Sequence, residues 1–445
     1  MWSRLRSMWT IPDLRNKILF TIGMLLIFRV VAYVPVPGID PTSLSKFLST
    51  KAGGLNQIFG LLDVFSGGSL QTFSIAAMGL YPYITATIVV QLLQPIIPRL
   101  DALAREGESG RNRIAQIQRY LTVPLALLQA FGQMALLVNI GAISSSQFNL
   151  FNGATFLPTI STLITLTAGT MFLVWLGELI TENGIGNGIS LIIFANIMVK
   201  IPQQIGSALV SSSGTGGTTN NGGLLFVAAL IGLALLMIFA MVYVYQSQRR
   251  VPVQYPTKRR FIAGTQNGQQ STYIPLQVNS AGMIPIIFAQ SILLLPTVLA
   301  NYLAYSSNKA LSSFFTNLRR LVDPSTSQYW IAFGIMVALF TFFYATVVWQ
   351  QQNIAENLQK QGAYIPGIRP GPPTAVYLEK ILNRITLGGA LFLGIISVAP
   401  LVFGTGSVNN IPQAASLLIV VGVVLDTMKQ LEAQMVMRNY SGFLS

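Results

Sequence analysis

The sequence predicts an all-α, polytopic membrane protein with ten transmembrane helices in two inverted, pseudo-symmetric five-helix halves. Three observations predict it. Hydrophobic residues make up 52% of the 445-residue chain and charged residues only 9%. An average soluble protein is roughly 25% charged, and so few charges cannot cover a soluble body of this size. Ten apolar stretches approach the ~20 residues that a membrane-crossing helix needs. Lys and Arg gather in alternate loops, as the positive-inside rule requires.

The first stretch, 18–36, follows Arg4, Arg6, Arg15 and Lys17. A basic region before an apolar run also describes a signal peptide. This run ends in Val34-Pro35-Val36-Pro37 with no small-residue cleavage site, so it reads as a retained span. The segment 38–72 is too polar to span and too apolar for an ordinary loop. Within it, Ile58 to Phe65 makes two helical turns that Ser66-Gly67-Gly68-Ser69 would end. That length suits a re-entrant or surface-lying piece. The other stretches run 73–95, 120–138, 156–177, 188–206, 224–245, 280–301, 329–349, 386–403 and 411–428.

Charge orients them. With the N-terminus in the cytosol, 20 of the 27 Lys and Arg fall on the cytosolic side. Lys46, Lys51, Lys200, Lys309, Arg319 and Arg320 fall on the far side, and Arg29 lies inside the first span. An odd number of spans would break this pattern, so both termini are expected in the cytosol.

One internal repeat survives inspection. Gly79-Leu80-Tyr81-Pro82-Tyr83-Ile84-Thr85-Ala86 in span two aligns with Gly282-Met283-Ile284-Pro285-Ile286-Ile287-Phe288-Ala289 in span seven. Gly, Pro, Ile and Ala recur in register. Spans five apart cross in opposite directions, which marks an inverted repeat with a site between the halves. The halves are expected at 1–222 and 223–445. Each proline is expected to mark a place where its helix bends.

The composition excludes most chemistry. There is no Cys and no His, which removes disulfides, thiolate nucleophiles, zinc–thiolate sites and His-based triads or relays. No metal, cofactor or catalytic residue is expected, and the chain does not read as an enzyme. Arg29 and Asp63 are the only plausible charges at membrane depth, whereas ion-driven transporters use buried carboxylates. Gly107-Glu108-Ser109-Gly110 and Gly184-Ile185-Gly186-Asn187-Gly188 lack the Lys-Ser/Thr of a phosphate loop and read as turns at span ends. If the protein moves something, a partner supplies the energy.

Two basic loops are long for connectors. Loop 246–278 carries Arg249, Arg250, Lys258, Arg259 and Arg260. Loop 350–385 carries Ile365-Pro366-Gly367-Ile368-Arg369-Pro370-Gly371-Pro372-Pro373, in which four prolines stiffen a tip that presents Arg369. Such loops suit an acidic partner: RNA, anionic lipid or an acidic protein face.

Five motifs in order give the sequence a family resemblance over about residues 12–440. They are Pro35-Val36-Pro37-Gly38-Ile39-Asp40, Gly107-Glu108-Ser109-Gly110-Arg111, Thr181 to Ser190 (TENGIGNGIS), Ala281-Gly282-Met283-Ile284-Pro285, and Ile365 to Gly371 (IPGIRPG). The sequence resembles the SecY/Sec61-alpha family, the channel subunits of Sec protein translocons.

The resemblance implies a central protein-conducting pore between the halves. Its waist would be a ring of Leu80, Ile84, Ile189, Ile193, Ile287 and Ile419. The residues add their own support, because 80/84 and 189/193 share helix faces at i,i+4. A narrow apolar collar also blocks ions by dewetting. Segment 57–69, with Leu61, Leu62, Asp63, Val64, Phe65, Gly67 and Gly68, resembles the family's plug. A lateral gate would lie between spans two and seven. Thr85, Thr87, Gln91 and Asn279 near that seam would hold it by hydrogen bonds of about 1 kcal/mol, or bond their own helix backbones.

Arg250 and Arg369 match loop arginines that engage the SecA ATPase and the ribosome, with Arg249, Lys258, Arg259 and Arg260 beside them. The stretch after Arg260 lacks further basic residues that many relatives carry. Implied partners are SecE, SecG, SecA, the ribosome with its RNA, signal peptides, nascent chains and the lipid bilayer. The implied location is a bacterial inner membrane, with a thylakoid membrane as the alternative. Two rival readings are an inverted-repeat secondary transporter, which lacks its intramembrane carboxylates, and a scaffold with no pore.

Overall fold

Each of the ten apolar stretches becomes a helix or lies largely within one. The computed structural model describes residues 11–37, 66–70, 72–139, 153–213, 221–254, 271–282, 284–303, 326–352, 354–403 and 414–441. The helices are α1 (Pro12–Val31), α2 (Tyr81–Leu93), α3 (Pro98–Arg105), α4 (Glu108–Asn139), α5 (Gly153–Asn183), α6 (Gly188–Ser213) and α7 (Asn221–Gln246). They continue with α8 (Ile284–Leu303), α9 (Ser327–Gln352), α10 (Ile354–Lys360), α11 (Pro372–Phe403) and α12 (Ala414–Ser441). Among the described residues, α5, α11 and the run of α9 into α10 are long and apolar enough to cross a membrane. The pair α2–α3, bent by 100° at its break, makes a fourth.

Span two begins later than the sequence suggests. Residues 72–80 form turns, and α2 starts only at Tyr81. Gly79 takes a φ of 55° and Gly282 a φ of 68°, values that favour glycine. Pro82 and Pro285 then each stand second in α2 and α8. There the missing N–H has no helical partner to lose. The expected proline bends are therefore helix starts, and the repeat is a shared way of beginning a helix.

Most of the fold is α-helical, with one addition. β1 (Gln248–Gln254) and β2 (Ser271–Gln277) pair antiparallel, from Gln248 opposite Gln277 to Gln254 opposite Ser271. This hairpin occupies much of what the sequence suggested was a plain loop. Val251 and Val253 point inward while Arg250 and Pro252 face out, the alternation of a half-buried strand.

Small residues set the closest helix contacts. Gly334 of α9 and Gly394 of α11 face one another, and a Cβ on Gly394 would lie 2.9 Å from the Gly334 carbonyl oxygen. This is the close backbone approach that membrane helices use in place of a hydrophobic driving force. The α5–α6 hairpin repeats the device, since a Cβ on Gly188 would run into the Gly177 carbonyl. Thr181 Oγ1 accepts the Gly188 N–H (2.9 Å), and Thr21 Oγ1 of α1 accepts the Ile185 N–H (3.2 Å). The Gly-rich segment 184–188 is thus a satisfied turn at a helix end, as expected.

Gly188→Ala should therefore lower the melting temperature of the detergent-extracted protein, by the ~1–3 kcal/mol of an overpacked site. Gly232→Ala is the control, because nothing lies within 4 Å of a Cβ there. It should leave the melting temperature unchanged or raise it slightly.

Candidate pore, gate and docking surface

The six expected ring residues come from four places in the chain and meet in one apolar cluster. Leu80 and Ile84 lie at the start of α2, Ile189 and Ile193 in the first turns of α6, Ile287 near the start of α8, and Ile419 in α12. Leu80, Ile84, Ile193, Ile287 and Ile419 are buried within the cluster, and half-buried Ile189 packs against it. The late starts of α2 and α8 bring Leu80, Ile84 and Ile287 together at helix N-termini.

Sequence reasoning missed several members. Phe28, Ile88, Leu176, Ile192 and Phe288 belong to the same cluster. Phe288 packs edge-on against Phe340 (6.4 Å) and Tyr344 (5.9 Å) of α9, an arrangement worth about 0.5–1.5 kcal/mol beyond area burial. A Gly-x-x-Pro repeat with an aromatic beside the isoleucine was the available signal.

Beside the cluster, α2 packs on α8. Among the described residues, one hydrogen bond crosses this seam: Tyr81 Oη donates to the Ser291 carbonyl at 3.2 Å. The expected gate residues behave differently. Thr85 Oγ1 donates to the Tyr81 carbonyl of its own helix (2.9 Å) and receives Gln129 Nε2 from α4 (3.4 Å). Asn279 Nδ2 donates to the Gly282 carbonyl within its own turn (3.1 Å). Gln91 Oε1, Asn279 Oδ1 and Ser291 Oγ are buried with no hydrogen-bond partner among the described residues.

Of the expected plug residues, Gly67 and Gly68 are described, and Leu61, Leu62, Asp63, Val64 and Phe65 lie outside the described residues. Gly67 (φ 66°) and Gly68 (φ 94°) form the expected turn. The chain then enters a bridge to the end of α1, where the Val36 N–H donates to the Phe73 carbonyl (3.0 Å) and the Ile75 N–H to the Val34 carbonyl (2.9 Å).

The basic face is built from both long loops at once. Gln254 and Tyr364 exchange backbone hydrogen bonds of 2.9 and 3.0 Å, which joins the hairpin to the Ile365–Gly371 tip. Beneath them Val251, Val253, Leu276, Leu358, Ala363 and Ile365 share a core with Leu378 and Ile381 of α11. Arg250 stacks over the Tyr273 ring at 4.7 Å, well inside the ~6 Å reach of a cation–π contact. Arg369 is exposed. Its carbonyl accepts from Thr374 Oγ1 at 2.8 Å, between Gly367 (φ 83°) and Gly371 (φ 105°). Arg249 is also exposed, while Lys258, Arg259 and Arg260 lie outside the described residues.

Apolar helices long enough to cross a membrane, gathered around a buried aliphatic cluster, define a polytopic helical membrane protein. The SecY family model matches residues 74–428. The protein translocase subunit SecY of Mycobacterium bovis is 40% identical over 441 residues, covering 97% of each chain. Among solved structures, one described as a protein conducting channel aligns with a TM-score of 0.65 at 16% identity, over 95% of this chain and 93% of the other. Sec61 in a canine ribosome-channel complex from the endoplasmic reticulum aligns with a TM-score of 0.58 at 16% identity, over 95% and 93%. The chain belongs to the SecY family.

Tyr81→Phe removes the hydrogen bond that crosses the seam among the described residues. It should weaken the contact of α2 with α8 by ~1 kcal/mol. Single cysteines placed on α2 and α8 are unique in a chain with no native Cys, so disulfide trapping across the seam should become severalfold slower. Unchanged trapping would show that the bond does not hold the two helices.

Proposed function

We propose that this chain is the passive central channel of a protein translocon. Unfolded secretory chains pass through the aliphatic constriction, and apolar segments leave sideways between α2 and α8. Residues 1–222 and 223–445 act as the two halves, with ten spans and both termini in the cytosol of a bacterial cell, and segment 57–69 acts as the plug. SecE and SecG accompany the chain. SecA or a ribosome docks on Arg249, Arg250, Lys258, Arg259, Arg260 and Arg369 and supplies the work. The likeness to a Sec61 channel described in a ribosome complex supports the ribosome as one such partner.

The observation that carries this reading is the convergence of Ile84 and Ile287 in one buried cluster. These two isoleucines are related by the internal repeat. A collar of that chemistry excludes hydrated ions yet offers no specific partner to a passing peptide. Crosslinking groups at Ile84 and Ile287 should both capture an arrested secretory chain, and failure at both would remove the ring assignment.

Arg369→Glu reverses the charge at an exposed, glycine-bounded tip. Export should fall at least ~10-fold, which corresponds to ~1.4 kcal/mol of lost docking, while the protein still assembles in the membrane. Normal export in that variant would take Arg369 out of the motor-docking role.

A further inference from the structure

Arg29 lies inside the first apolar span, and the reading above gives it no task. In the structure its guanidinium joins three elements. Nη1 donates to the Gly67 carbonyl and Nη2 to the Ala195 carbonyl, each at 3.1 Å. The group lies 5.4 Å from the centre of the neighbouring Phe28 ring. It therefore ties α1 both to the turn Ser66–Leu70 and to α6. Among the described residues it makes no ion pair with a carboxylate.

The turn is shaped for close contact with α6. Gly67 and Gly68 both adopt left-handed backbone angles. A Cβ on Gly67 would strike the Asn196 side chain, and one on Gly68 would lie 3.4 Å from Lys200 Cε. Asn196 and Lys200 are both buried. At Gly67 there is no room for a side chain between the turn and the helix, and at Gly68 an added Cβ would only touch Lys200. The planar guanidinium suits this junction, because its fork of N–H groups satisfies two carbonyls at once. Charge-assisted bonds of this kind are roughly twice as strong as neutral ones. Moving the turn away would leave a cation at membrane depth short of a partner, which is strongly disfavoured.

We propose that Arg29 is a positioning residue for the channel's far-side seal. It fixes the turn Ser66–Leu70 against α6, and with it the end of the segment read as the plug. The inference rests on that plug reading. Because both acceptors are main-chain carbonyls, the latch senses where the turn's backbone lies and not which side chains the plug carries.

Resting ion conductance of the membrane-reconstituted protein, purified with its native partner chains, tests this. Arg29→Gln should raise the leak at least ~10-fold, equivalent to ~1.4 kcal/mol in the closed-to-open balance. Arg29→Lys should fall between the two, since an ammonium is a point donor without the fork. Gly67→Ala displaces the same carbonyl without altering α1 and should leak as well. Deleting residues 60–68 should leak by itself, and adding Arg29→Gln to the deletion should change nothing further.

A tight Arg29→Gln or Gly67→Ala channel overturns the latch. So does an Arg29→Gln effect that persists in the deletion, because it would mark general loosening of α1 from α6. If the deletion alone leaves conductance unchanged, the plug reading fails and the latch falls with it. A leaking deletion beside a tight Arg29→Gln channel sinks the latch and leaves the plug standing.

Discussion

A bilayer offers no water to backbone polar groups, so each must find its partner inside the chain. The rest of the structure follows from that constraint. Apolar stretches become helices because a helix satisfies its own ladder. Their threonines obey the same rule: Thr21, Thr85, Thr122, Thr167 and Thr341 each donate to the carbonyl four residues back. Such hydroxyls present an almost apolar surface to their neighbours, which frees the helices to pack through Gly177–Gly188 and Gly334–Gly394.

Irregular backbone at membrane depth survives only where protein covers it. The turns at 66–70 and 72–80 meet this condition. Ser66, Ser69, Leu70, Phe73, Ser74 and Leu80 are buried, and the segment supplies its own partners. Ser69 Oγ lies 2.6 Å from the Ser66 carbonyl and 2.8 Å from the Ala76 carbonyl, and Ser74 Oγ accepts the Ala76 N–H at 3.2 Å. Not every buried oxygen finds a partner among the described residues: Gln91 of α2, Ser291 of α8, Gln129 and Gln133 of α4 and Thr386 of α11 each keep one without.

The apolar helices were legible in the sequence because the bilayer writes them in composition. That Ile84 and Ile287 would meet in one buried cluster was legible from their register in the repeat, and the family motifs supplied the other members. The hairpin was not read, although Val251, Val253, Ile274 and Leu276 alternate correctly. Pro252 and Pro275 argue against strands; in a two-stranded ribbon each has a free edge to face. Tyr81 and Arg29 were invisible as fasteners for another reason. Their partners are backbone carbonyls of Ser291, Gly67 and Ala195, and a carbonyl far along the chain leaves no mark in residue identity.

The hairpin of the proposed docking face and α8, one wall of the seam, follow one another along the chain. β2 runs into the turn Val278–Gly282, which opens directly into α8. The turn is held at its start: the Val278 N–H donates to the Ser247 carbonyl at 3.0 Å, and Gly389 of α11 fits closely beneath the Val278 carbonyl. The hairpin also shares its core with Leu378 and Ile381 of the same α11. α11 in turn is locked to α9 at Gly334 and Gly394, and α9 carries the two aromatics that pack on Phe288. Under the proposed docking role, a partner gripping Arg250 and Arg369 would hold a connected set of elements that ends in one wall of the seam. It would shift that wall only by as much as it binds two positions of α8 differently. A seam crossed, among the described residues, by a single neutral hydrogen bond keeps the required difference small.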